Sequence, residues 1–165
     1  MRSADEESFR ELVAGRSPRY LRTAYLLTGD WPAADAAVRA ALARAYSSWR
    51  RLRDHDDVDA VVYRALVAGE PWWRRALHRD AAPPPLPEGA DERERLRRAL
   101  LLLPWRQRAA VVLRHYEDLP ETEAARLLGC SLAAVRAGAR TGLARLRDAV
   151  DDPYDGLMRA GEVRP

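Results

Sequence analysis

The ten residues "AAPPPLPEGA", positions 81–90, constrain this chain more than any other stretch. Four of them are proline, which withholds the backbone donor that a helix needs and favours an extended polyproline conformation. At about 3.1 Å per residue, such a run reaches roughly 30 Å. No regular element is expected to cross it. A chain of 165 residues is thereby divided into an N-terminal module at 1–80, a linker at 81–90, a C-terminal module at 91–150 and a tail at 151–165.

Both modules read as helical. In "SFRELVAGRSPRYLRTAYLLTG" the apolar residues Leu21, Ala24, Tyr25 and Leu27 fall at helical spacing, with Gly29 suited to the end. Pro18 is expected to interrupt or restart that helix. A second helix follows with Asp30 as N-cap, Pro32 in the first turn, and a stripe of Val38, Leu42, Ala45, Tyr46 and Trp49. A third is expected over about 57–79, kinked at "GEP" (69–71) because Pro71 loses one helical bond. In the second module Asp91 and Glu94 stand at capping-box spacing, and Asp91/Arg95 and Glu94/Arg98 at ion-pair spacing. Pro104 ends that helix, and "WRQRAAVVLRHYED" makes another, with Ala109, Val112, Leu113 and Tyr116 expected to face inward. No segment alternates like a strand. The fold class is all-α, two small helical domains joined by a Pro-rich linker.

The last two helices lie in "ETEAARLLGCSLAAVRAG" (121–138). A helix-turn-helix needs a small residue where its helices cross, a residue tolerant of positive φ in the turn, and an apolar anchor in the second helix. Ala125, Gly129 and Val135 stand at those places, Ser131 can cap the second helix, and Leu128 and Leu132 are expected to bury the corner. The second helix would then expose Arg136, Arg140, Arg145 and Arg147, and such a helix can lie in a DNA major groove. Gly138 and Gly142 sit awkwardly in its interior, at up to ~1 kcal/mol each.

Charge distribution agrees with a polyanion partner. The net charge is only +3, but 124–147 holds five Arg and no acid, and 44–53 holds four Arg and no acid. Every basic residue is Arg, whose planar fork grips phosphates and guanine edges bidentately. One cysteine, Cys130, excludes an internal disulfide, and the three histidines lack metal-ligand spacing. There is no Gly-rich phosphate loop and no nucleophile–base pair, so no enzyme, cofactor or metal is expected. The charged start "MRSADEESF" and the lack of a long apolar run point to a cytoplasmic protein with no membrane span.

With "RTAYLLTGD" (22–30), "ALARAYSSWRRL" (41–52), "PWWRRAL" (71–77), "LLPWRQRAAVVLRHYEDLPETEAARLLGCS" (102–131) and "GLARLR" (142–147), the chain resembles the bacterial sigma-70 family. Within it, the likeness is to the small extracytoplasmic-function factors of the actinobacterial sigma-E-like subfamily. The resemblance implies promoter-specific transcription initiation, with RNA polymerase core enzyme and promoter DNA as partners and an anti-sigma or accessory protein as a further one. Region 2, in the first module, would hold core polymerase through Asp35, Arg39 and Leu42. It would capture the single-stranded −10 element through Arg64, Trp72, Trp73, Arg74 and Arg75, since base stacking on aromatics is worth ~1–3 kcal/mol. Region 4, the helix-turn-helix, would read the −35 element through Ser131, Ala133, Arg136, Arg140 and Arg145.

The chain departs from that family where it matters for docking. The usual "AEDLVQEAL" is "ADAAVRAAL" (34–42), which removes acids at Ala36 and Ala40 and replaces a Leu by Ala37 and a Gln by Arg39. The usual "GTVKS" of the reading helix is "AAVRA" (133–137). These changes imply an alternative, a degenerate sigma-like regulator that binds core polymerase weakly and acts with a partner.

Overall fold

The computed structural model describes residues 2–52, 55–68, 86–87 and 89–151. Trp72, Trp73, Arg74, Arg75, the expected kink at 69–71 and the tail beyond Asp151 lie outside them. Seven α-helices and no strand occur among the described residues. The first module contains α1 (Arg2–Thr28), α2 (Trp31–Ser48) and α3 (His55–Val67), with a short 3-10 turn (Trp49–Arg51) after α2. The second contains α4 (Glu92–Leu102), α5 (Trp105–Val111), α6 (Glu121–Leu128) and α7 (Leu132–Asp151).

Helix α1 runs through Pro18 without a break, contrary to expectation. Pro18 withholds the donor that the Ala14 carbonyl would receive, but one lost bond in a 27-residue helix is outweighed by the packing of α1 against α2 and α3. The helix stops at Gly29, whose φ is +73° and whose amide donates to the Tyr25 carbonyl. The positive φ demands glycine, and a Cβ there would also lie 2.5 Å from the Leu101 side chain, which would have to shift.

Asp30 caps α2 as expected, its carboxylate accepting from the Ala33 amide at 2.9 Å. Ala34, Ala37, Ala41 and Ala45 are buried on α2, and their small size lets α1 and α3 close on Tyr20, Leu27, Val58, Val62 and Leu66. Ala37 thus belongs to the core, and its smallness is a matter of packing. Tyr46 corrects the expected apolar stripe: it is exposed, with its ring edge-on to Phe9 at 5.2 Å, and Phe9 also meets Trp49 at 5.2 Å.

In the second module the Asp91 carboxylate accepts from the Glu94 amide at 2.8 Å, as the capping spacing implied. Glu94 pairs with Arg97, at i+3, rather than with Arg98. Arg97 lies on the side of α4 that faces the first module, and it also donates to the Gly29 carbonyl at 3.1 Å. The long helix α7 packs on α5 and α4. Its glycines now have a reason: a Cβ on Gly142 would sit 2.7 Å from Val111 Cγ2, so close approach of α7 to α5 requires its absence.

After Val111 the α-helix widens into a π-helical turn (Val112–Tyr116), closed by the Glu117 amide donating to the Val112 carbonyl. The wider turn shifts the register by about one residue. Tyr116, expected inside, is exposed, and Glu117 is buried in its place. That carboxylate accepts from three side chains of the first module: Arg19 Nε at 2.6 Å, the Tyr63 hydroxyl at 2.8 Å, and the Thr23 hydroxyl. Arg108 adds a second tie, donating to the Leu27 carbonyl at 2.8 Å and to the Leu101 carbonyl at 2.6 Å. The two modules are therefore docked, α1 against α4 and the π turn, and α3 against α6.

Candidate nucleic-acid interface

The turn between α6 and α7 is built as the spacing implied. Gly129 takes the left-handed conformation (φ +62°, ψ +39°), and the Cys130 amide donates back to the Ala125 carbonyl at 3.1 Å. Ser131 caps α7, its hydroxyl accepting from the Ala134 amide at 3.1 Å. Ala125 and Val135 are buried where the helices cross, and Leu128 is half-buried. Leu132 departs from expectation, being 39% exposed on the outer side of the corner.

The buried side of α7 is Val135, Ala139, Gly142 and Leu146. That set follows the helical repeat and points every intervening Arg outward. Arg136, Arg140, Arg145 and Arg147 are exposed, as are Ser131 and Ala133 at the start of the helix. A convex, cationic helix face is thereby presented to solvent, with its N-terminal end beside the turn.

Two of these cations are oriented by neighbours. The Glu121 carboxylate, on the first turn of α6, receives Arg136 Nε at 3.1 Å and its NH2 group at 2.6 Å. The hydrogen bond to Arg136 holds the Glu121 carboxyl below the ordinary carboxylate range, and the same bond raises the Arg136 guanidinium. Arg145 donates to the Gln107 side chain on α5 at 3.2 Å. Glu121 was not singled out from sequence because it lies 15 positions before Arg136; only the turn brings the two together.

In the first module, Arg64 is exposed on α3. The ring edge of Tyr46, with Phe9 and Trp49, lies at the end of α2 among Arg44 and Arg51, both exposed. Sequence periodicity had assigned Tyr46 to the interior. On α2, Arg39 is exposed and pairs with Asp35 at 2.5 Å, while Leu42 is half-buried. The acid retained on this face is thus already partnered by the Arg that this chain introduces.

Among the described residues no group of His, Cys, Asp and Glu could hold a metal ion. No helix among them is long and apolar enough to cross a membrane. Residues 93–146 match the family model for sigma-70, region 4. The chain is 34% identical over 149 residues to the RNA polymerase sigma-E factor of Streptomyces coelicolor, covering 85% of this chain and 84% of that one. It is 32% identical over 152 residues to the protein of the same name from Streptomyces antibioticus, covering 87% and 84%. Among solved structures, the sigma factor RpoE from Bartonella quintana, determined in complex with the anti-sigma factor NepR, shares the fold. Its TM-score is 0.68 at 16% identity, over 90% of this chain and 99% of that one.

Proposed function

The chain belongs to the sigma-70 family, as an extracytoplasmic-function RNA polymerase sigma factor of the sigma-E type, and from that premise we propose how its parts divide the work. The module at 91–150 reads the −35 duplex through α7, with Arg136 and Arg140 toward the groove and Arg145 toward the backbone. Ser131 and Ala133 lie at the helix start that meets the DNA. The module at 1–80 docks on core polymerase through the exposed face of α2 around Asp35, Arg39 and Leu42. It captures the unpaired −10 strand through Arg64 and the region that follows it.

The observation that carries this reading is the outward cationic face of α7 behind a well-formed turn. Phosphate attraction supplies affinity, and the N-terminal residues of the helix supply base contacts. Half of the family's task is therefore available on the surface as it stands.

The other half requires the modules to part. Elements about 25 base pairs apart lie about 85 Å apart at a rise of about 3.4 Å per base pair. A compact chain of this length has a radius of gyration of only about 15 Å. The docked arrangement cannot reach both elements, so promoter binding releases the contacts that join Arg19, Thr23 and Tyr63 to Glu117.

The direct test combines the purified protein with core polymerase from its host. Co-elution and run-off transcription from a cognate promoter are expected. Failure to form any stable complex with core enzyme removes the proposal.

A further inference from the structure

The first two turns of α7 carry very few groups able to hydrogen-bond a base. Leu132, Ala133, Ala134 and Ala137 are exposed and offer only aliphatic carbon, and Val135 and Ala139 are buried. Across 132–139 the only side chain with polar donors is that of Arg136. The positions of a reading helix that meet base edges therefore rely on one guanidinium and a few methyl groups.

That guanidinium is held along one edge. Glu121 accepts from Nε and from NH2, which together form the side edge of the Arg fork. What remains is the end edge, made by NH1 and the second hydrogen of NH2. An end edge offers two parallel donors, the pattern that matches O6 and N7 of guanine. The side chain is 61% exposed, so this edge is open to solvent.

Glu121 is itself well placed to act as a clamp. Its side chain is only 29% exposed, and it sits in the first turn of α6, where a carboxylate is favoured by the helix dipole. The hydrogen bond from Arg136 holds its carboxyl below the ordinary carboxylate range. An exposed pair of this kind adds little to stability. Its effect is instead on geometry, since a free Arg side chain samples many rotamers and can swing to any nearby phosphate. A swing of that sort would leave an unpaired carboxylate facing the DNA backbone, which is repulsive.

We propose that Glu121 is a positioning residue that sets specificity: it grips the side edge of Arg136 so that the end edge reads one guanine in the −35 duplex. It also discourages sequence-independent phosphate binding by the same cation. The proposal rests on the reading of α7 as the duplex-facing helix. Restricting one cation to one base gives selectivity to a surface otherwise poor in polar groups.

The test is parallel selection from a random-sequence duplex library about two helical turns long, using the full chain as wild type, Arg136→Ala, Glu121→Ala and Glu121→Gln. Wild type is expected to enrich a guanine at one fixed position. Arg136→Ala should lose that preference, which for a bidentate pair is about 5- to 150-fold. Glu121→Ala should keep its melting temperature, weaken the guanine preference several-fold, and bind the unselected library more tightly with a steeper salt dependence. Glu121→Gln, which retains an acceptor without charge, should fall between and covers the case of an alanine variant that misfolds. Enrichment of the same guanine by Glu121→Ala as strongly as by wild type overturns the proposal and leaves α7 as the reader. Failure of wild type to enrich any sequence overturns the duplex-reading assignment, and this proposal with it.

Discussion

Arg19 and Glu117 stand 98 positions apart and meet at 2.6 Å, with the carboxylate almost wholly buried and the guanidinium half exposed. The same carboxylate takes the hydroxyls of Thr23 and Tyr63, so one acidic side chain of the second module satisfies three donors of the first. A buried charge with three partners is inexpensive only while all are in place. Glu117 therefore acts as a clasp between the two modules, the contact that the proposed promoter binding would have to release.

Glu117→Ala should open that clasp. It leaves the Tyr63 hydroxyl without its acceptor, while Thr23 keeps the Arg19 carbonyl at 3.1 Å, and should destabilise the docked state by about 1–3 kcal/mol, the cost of one stranded buried group. Small-angle scattering should show a larger radius of gyration than wild type, and calorimetry a lower midpoint. Unchanged dimensions and an unchanged midpoint would mean that the modules are joined elsewhere.

Alkaline pH should act on the same region. Burial, followed by donation to Glu117, pushes the Tyr63 phenol well above its ordinary value, and burial with donation to Asp59 does the same for Tyr20. Both folded values lie above the unfolded one, so their contribution is complete below about pH 10 and is lost as pH rises beyond it. Thermal midpoints measured against pH should decline from there upward. Tyr63→Phe removes one of the two raised phenols and should flatten the decline; an equally steep decline in that variant would rule out Tyr63 as a source.

Two glycines of α7 should respond oppositely to alanine. At Gly138 the nearest neighbour of an added Cβ is Ala110 Cβ at 3.6 Å, an ordinary contact, so Gly138→Ala should stabilise by up to about 1 kcal/mol through helix propensity. At Gly142 the added Cβ meets Val111 at 2.7 Å, and Gly142→Ala should cost about 1–3 kcal/mol through overpacking. Denaturant titration of the two variants distinguishes them, and shifts of the same sign would contradict the helix spacing described.

Arg39→Gln should strengthen core-polymerase binding and leave duplex binding unchanged. The substitution releases Asp35 from its 2.5 Å pair and restores an uncompensated acid to the exposed face of α2. The pair is exposed, so the expected change is a few tenths of a kcal/mol to about 1 kcal/mol in affinity. Competition for labelled core enzyme measures it, and no difference from wild type would place the polymerase contact away from this face.

Local chemistry was legible from the sequence alone: caps at Asp30, Asp91 and Ser131, the left-handed turn at Gly129, and the outward Arg set of α7 all depend on neighbours within a few residues. What could not be read were the features that need a second helix to exist. Pro18 does not break α1, because packing against α2 and α3 holds the helix through the one bond it loses. The π turn puts Glu117 rather than Tyr116 inside, because one extra residue in a turn rotates all that follow. Glu121 meets Arg136, and Glu117 meets Arg19, only after the chain has folded back on itself. Helix periodicity is a short-range property of the backbone and survives in one dimension. The pairing of charges across helices depends on tertiary packing, which supplies the low-dielectric surroundings and the distances at which such pairs count.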